Sequence, residues 1–416
     1  MLMTRARSAS VRIPPALLVV VLATIIQGFG QEQPPSSKSP NPNGNPALLR
    51  EAAKAISAGD LPLAEVELRT ILETSPRDYR ALNFMGILRA QQKREAEAEG
   101  FFKQVIEIKP DFAGGHSALG LLYMQMGKQE DAIAQFRETL RLDPSRTDAR
   151  DSLVQLWISE AGEALKAGNP EKSLAALLQG RKIKPDDPDV ESRLGMVALR
   201  MSLFADAMEA FQNVLKTRPD DAAALYGLGR AETGAAKFPE AKTTFTKYVE
   251  MHPEDPSGQF AIGLVLQTLQ ENQAARRCFQ RSIELRPAQT ESYFRLGLLD
   301  LDENHLDDAE ANFRTALKRD PKHAGALTGS GRVAFQKKNY DEAAQDLRQA
   351  IASDPSLREA HYYLGLDYAR LGQNDESAKE LEIATKLEHE EVERHQHALK
   401  VLDLEEAAPA ASELAK

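Results

Sequence analysis

The sequence predicts an all-α fold, a solenoid of stacked helix pairs, on three observations. First, Pro76, Pro110, Pro144, Pro185, Pro219, Pro253, Pro287, Pro321 and Pro355 follow one another at 34 residues, broken by a single step of 41. Second, small and aromatic residues stand at constant offsets from those prolines. Glycine lies 24 residues before, as Gly86, Gly120, Gly195, Gly229, Gly263, Gly297 and Gly331, and Gly365 continues the row. Alanine lies 12 before, as Ala64, Ala98, Ala132, Ala207, Ala241, Ala275, Ala309 and Ala343. Phe102, Phe136, Phe211, Phe245, Phe279 and Phe313 lie 8 before, with Leu68, Leu177 and Leu347 substituting. Third, 42% hydrophobic residues with only 6% aromatic and 27% charged suit amphipathic helices and ask for no sheet. A strict internal period of this length marks a repeat architecture.

Each offset has a physical reading. A first helix brings its glycine to the crossing with a second helix, whose alanine meets it, so the two backbones approach closely. Phenylalanine, four residues after the alanine, shares its helix face and fills the space between neighbouring units. Proline ends the second helix, because it has no N–H and disfavours a helical conformation in the residue before it. A single pair cannot bury its apolar side alone, so the pairs stack. On these residues the chain resembles the tetratricopeptide repeat over about residues 45–391. The resemblance implies ten repeats in a right-handed superhelical solenoid that acts as a non-catalytic protein-interaction scaffold.

In chain order, residues 1–30 read as a secretory signal peptide. Arg5, Arg7 and Arg12 precede the apolar run from Ala16 to Ile26 and the small residues up to Gly30. The apolar run is short for a membrane span, so export with cleavage near Gly30 is expected, with an uncleaved membrane anchor as the alternative. Residues 31–44 form a Pro, Ser and Asn linker with nothing to bury. The first repeat is degenerate, with Ala52 in the glycine position, as expected of a terminal repeat. Gly59, Gly127, Gly168 and Gly372 fall in the turns inside their pairs, where positive φ comes cheaply. The 41-residue step falls in repeat four, about 147–187. Seven extra residues amount to two helical turns, so its first helix should be longer than the others. The preferred register counts back from Pro185 and puts Ala161 where glycine belongs, and the insertion is a tolerated extension, a partner site or a kink. The last repeat has Ser377 for alanine and His389 for proline, so its second helix can run on. Residues 392–406 are expected as a capping helix, packing through Leu387, Val392, Leu399 and Leu402, and 407–416 as a frayed tail.

Composition narrows the function. The net charge is −10, and residues 1–30 hold three arginines and no acid, leaving −13 on the rest, a poor match to nucleic acid. Cys278 is the only cysteine, so no intramolecular disulfide and no cysteine zinc site is available. Motifs that mimic chemistry fall short. Gly115-His116-Ser117-Ala118 starts like a hydrolase elbow but lacks the final glycine. Gly329-Ser330-Gly331 lies mid-helix with no preceding strand. Asp300, Asp302 and Asn304 lack the glycine and glutamate of a calcium loop and read as a solvated helix end. His389, Glu393 and His397 share a helix face, most simply a solvated one. No enzyme activity, cofactor or metal is expected.

In the resembled family, the second, fifth, ninth, twelfth and thirteenth places of each repeat face a concave surface. Here the fifth place holds Asn83, Ser117, Ser192, Tyr226, Phe260, Phe294, Thr328 and Tyr362, and the ninth includes Arg230 and Arg332. With Phe335 and Arg370 from later places, the expected partner-binding groove is Tyr226, Arg230, Phe260, Phe294, Arg332, Phe335, Tyr362 and Arg370. Aromatics and arginine are common interface anchors. The alternative is that these rings pack against neighbouring helices. Either a peptide or a partner helix would fit, in assembly of an envelope or secreted complex of an exporting bacterium; a rival role is the recruiting arm of a separate catalytic partner.

Overall fold

A computed structural model of the chain describes residues 46–406, with side chains through Glu393. Among the described residues it is all-helical, a solenoid of ten helix-turn-helix repeats without strands. Two compact units divide at Pro219 and Asp220. The first unit holds α1 (Pro46–Ala58), α2 (Leu61–Thr74), α3 (Tyr79–Gln91), α4 (Glu95–Ile108), α5 (Ala113–Gln125), α6 (Gln129–Leu142), α7 (Thr147–Lys166), α8 (Pro170–Ile183), α9 (Pro188–Arg200) and α10 (Phe204–Thr217). The second holds α11 (Ala222–Gly234), α12 (Phe238–Met251), α13 (Pro256–Thr268), α14 (Asn272–Leu285), α15 (Thr290–Asp302), α16 (Leu306–Arg319), α17 (Ala324–Gln336), α18 (Tyr340–Ser353), α19 (Arg358–Arg370) and α20 (Asn374–Glu406). The division lies between the fifth and sixth pairs.

Local chemistry sets the helix ends. Second helices stop two residues ahead of the period-setting proline, and the cap N–H closes onto the carbonyl four back, as Ser75 does onto Ile71 at 2.8 Å. Four first helices open on carboxylates that accept from otherwise unpaired backbone N–H groups, at Asp78, Asp187, Asp221 and Asp255. Inside every pair the turn contains one left-handed residue. Gly59, Gly127, Gly168 and Gly372 fill four of these places, and Lys93, Ser202, Ala236, Gln270, Asn304 and Lys338 fill the rest at φ between 57° and 66°. The following N–H reaches the carbonyl five residues back, from Asp60 to Ala55 at 2.8 Å through to Gln373 to Tyr368 at 2.9 Å.

The packing rows meet differently from the sequence reading. At Gly297 an added Cβ would come within 2.6 Å of the Phe313 ring, and at Gly86, Gly120, Gly195, Gly229 and Gly263 the ring of the same pair is again nearest. Leu347 and Leu381 fill the place beside Gly331 and Gly365. The ring, more than the alanine, is therefore what each glycine admits. Alanine has its own reason to be small: Ala98, Ala132, Ala207, Ala241, Ala275, Ala309 and Ala343 are all fully buried. Phe313 also lies against Gly329 of the next first helix, so one ring seals both the crossing within a pair and the joint to the next. Each such ring contributes roughly 1.5–3 kcal/mol by burial.

The long helix α7 serves two registers. Ala149, Leu153 and Leu156 join the core of the preceding pairs, while Val154 and Ala161 join that of α8 and α9, with Trp157 against both. At the other end, α20 is one unbroken helix of 33 residues. The expected boundary at 391 and 392 therefore falls inside a helix, not between a repeat and a separate cap. Val392 is 48% exposed; Leu399 and Leu402 lie outside the described side chains. Among the described residues no helix is long and apolar enough to cross a membrane. The expected signal peptide, linker and tail lie outside the described residues.

Candidate functional site

All eight expected groove residues lie in the second unit, on its first helices α11, α13, α15, α17 and α19. Three of the rings turn inward. Tyr226 stands 5.7 Å from Phe245 and 5.3 Å from Tyr248, Phe260 stands 5.8 Å from Phe279, and Phe294 stands 6.2 Å from Phe313. Phe294 also meets His323 at 4.8 Å and leans over Gly325, where an added Cβ would be 2.7 Å from its ring. Each keeps part of its surface outside, and burial raises the Tyr226 phenol above its ordinary range. Thr328 is buried and turns its hydroxyl back to the Ala324 carbonyl at 2.9 Å.

A second group forms one cluster. The Arg332 guanidinium donates to Glu359 at 2.8 Å and lies 5.0 Å over the Tyr363 ring. Phe335 packs edge-on to Tyr340 at 5.8 Å and Tyr363 at 6.2 Å. Tyr362 stands edge-on to Tyr363 at 5.4 Å and is 42% exposed. The structure thus joins Arg332, Phe335 and Tyr362 into one patch and leaves Tyr226, Phe260 and Phe294 as separate ring packs. Arg230 and Arg370 are exposed and pair with no carboxylate among the described residues.

Sequence reasoning missed Glu359, Tyr363 and His323. Their signal was available in the period, because the ninth place of one repeat lies beside the second place of the next, which is how Arg332 reaches Glu359. His323 accepts from the Ala326 N–H at 3.0 Å and bonds Glu291 at 3.1 Å. That bond holds the Glu291 carboxyl below its ordinary range, helped by Arg295, and raises the imidazole. Both acids on this face thus already have cationic partners.

Asp300 also departs from expectation. It is buried, not solvated, with Arg276 at 2.5 Å and Asn312 at 2.7 Å, an ion pair linking successive repeats. Arg89 bridges repeats in the same way, to Glu65 at 2.9 Å. His116 and Ser117 are buried in α5, where Ser117 donates to Asp148 at 3.0 Å and His116 bonds Gln135 at 2.9 Å. These two therefore work as packing groups. Cys278 is half-buried, and burial raises its thiol pKa. His397 lies outside the described side chains.

Models of the tetratricopeptide repeat match residues 49–111, 113–146, 192–256, 257–289 and 294–358, more than half of the chain. The chain belongs to the tetratricopeptide-repeat family. The unmatched stretch between 146 and 192 contains the extended α7. This tetratricopeptide protein is 24% identical over 177 residues to the human PEX5-related protein, covering 41% of this chain and 28% of the relative. It is 33% identical over 168 residues to the cellulose synthase operon protein C of Pseudomonas fluorescens, covering 40% of this chain and 12% of that one. The chain spans less than a third of the length of these relatives. Among solved structures, a tetratricopeptide repeat protein from Parabacteroides merdae is 14% identical at a TM-score of 0.49, covering 56% of this chain and 93% of its own. YrrB, described as a tetratricopeptide protein with an unusual peptide-binding site, is 25% identical at a TM-score of 0.38, covering 44% and 95%.

Proposed function

We propose that the first-helix face of the second unit is the partner-binding groove and takes an extended peptide or a single helix of another protein. The observation that carries this reading is the exposed edge of the Arg332, Phe335 and Tyr362 cluster, with Arg370 exposed and unpaired on the same helix as Tyr362. Half-buried rings offer apolar surface whose ordering is already complete, and a free guanidinium takes a carboxylate bidentately. The favoured ligand carries an aromatic or aliphatic anchor near an acidic side chain.

The N-terminal pattern of arginines, apolar run and small residues supports export and a role in assembling an envelope or secreted complex. An uncleaved segment would instead tether the scaffold to the membrane, which N-terminal sequencing of the exported protein distinguishes. The rival role, an arm recruiting substrate to a separate catalytic partner, draws its support from the 33% identity to a protein named for a cellulose synthase operon.

A random peptide library selected on the purified chain tests the groove. The selected peptides are expected to lose roughly tenfold in affinity or more for Tyr362→Ala and for Arg370→Ala, about 1.4 kcal/mol each, with unchanged thermal midpoints. Peptides that bind wild type and both variants equally would place the site elsewhere.

A further inference from the structure

Position 367 breaks a rule that the other glycine-bearing repeats keep. Two residues after the packing glycine, the regular repeats carry aliphatic side chains, among them Leu88, Leu122, Val197, Val265, Leu299 and Val333, all buried. The last repeat carries Asp367 there, at 0% exposure. Neither carboxyl oxygen has a hydrogen-bond partner among the described residues. The side chain sits at the joint where α19 packs on α18, beside an apolar cluster that includes Ala344, Leu347 and Leu364.

The charged groups acting on it from α18 are Asp341, a like charge, and Arg348. Arg348 spends its Nε–H on the Ala344 carbonyl at 3.0 Å. Among the described residues, the charged side chains that bond to α19 from its other neighbours are committed elsewhere: Arg332 of α17 to Glu359, and Glu380 and Glu391 of α20 to His361 and Arg358. An ionised Asp367 is therefore a buried charge with no hydrogen bond among the described residues and only the Coulomb pull of Arg348 in its favour, and such a group is costly.

We propose that Asp367 makes the seating of the last helix pair on α18 proton-dependent, closed while its carboxyl is neutral and loosened when it ionises. Tyr362, Tyr363 and Arg370 ride on that pair, and its loosening also withdraws Glu359 from Arg332. The joint is thus a device by which acidity sets the state of this surface, whatever the surface binds.

Burial, with Asp341 adding to it, pushes the carboxyl up to about 6 from an ordinary 3.8. The folded joint therefore holds a proton that the open joint releases. The stabilisation this carboxyl contributes is fullest below the ordinary carboxylate range, declines as pH rises to about 6, and is gone above that.

Hydrogen exchange on the full chain at about pH 5 and about pH 7.5, corrected for intrinsic rates, reads this directly. The amides of α19 and of the start of α20 are expected to open roughly tenfold more often or beyond at the higher pH, while α3 to α6 stay constant. Asp367→Leu, an aliphatic residue as in Leu88, Leu122 and Leu299, should remove the difference and keep the pair closed at both values. If that variant fails to fold, Asp341→Asn should reduce the difference, since it removes the like charge. A wild type with equal opening at both values, or an Asp367→Leu or Asp341→Asn chain that keeps the full wild-type difference, overturns the proposal.

Discussion

Six of the ten turns within helix pairs hold a left-handed backbone on a residue that carries a Cβ. Ala236, at φ 57°, is one of them and is exposed. The left-handed region costs a non-glycine residue roughly 1–2 kcal/mol, so Ala236→Gly should raise stability by about 0.5–1 kcal/mol after the added chain entropy. Urea unfolding at constant m-value measures it. Glycines inside helices divide the other way. An added Cβ at Gly162 meets nothing within 4 Å, so Gly162→Ala should stabilise by about 0.5–1 kcal/mol. At Gly297 the same change drives a methyl toward Phe313, 2.6 Å away, and should cost about 1–3 kcal/mol. Equal effects at the two sites, read by thermal melts, would contradict the packing described above. Both glycines look alike to a helix propensity scale; the row containing Gly297 was legible only through its period.

At the scale of elements, the joint between repeats rests on size matching ten residues apart. The residue three after the ring position faces the third place of the next first helix: Tyr248 against Gly258, Val105 against Gly115, and Gly180 against Val190. Large and small exchange sides while the pair fills similar space. Gly258→Ala would put a methyl 2.5 Å from the Tyr248 ring and should destabilise by about 1–3 kcal/mol. In a Tyr248→Ala background the next obstacle is Val249 at an ordinary 3.4 Å, so the same change should become near neutral. Additive effects in that double-mutant cycle would show the two residues to be uncoupled. Helix α7 shows the same logic at greater length, since two added turns let one helix match the core before it and the core after it.

At the scale of the whole molecule, stability should spread only between neighbours, because each pair touches little beyond the pairs beside it. Gly297→Leu inserts a larger side chain where Phe313 already sits and should separate α15 from α16. The loss of helical circular dichroism on heating should then begin earlier, in the second unit. Trp157, the single tryptophan, lies in the first unit and should report an almost unchanged transition. Coincident shifts by both probes would instead mean that the chain unfolds as one cooperative block.

The ten pairs, their turns and their buried rows could be read from residue order, because each depends on local effects: proline ends a helix, glycine admits a ring, and a period of 34 repeats both. Aromatic type at the fifth place was equally legible, but its use was not. Phe294 and Tyr362 occupy the same place, yet one lies over Gly325 of a following helix and the other stands 42% exposed. Arg332 and Arg370 are alike in residue type, yet Glu359 engages the first and no carboxylate among the described residues engages the second. Asp367 reads in isolation as one more surface acid on a helix. Its burial without a partner arises where α19 crosses α18, and a helix crossing decides burial and charge pairing through contacts that spacing along one chain does not encode.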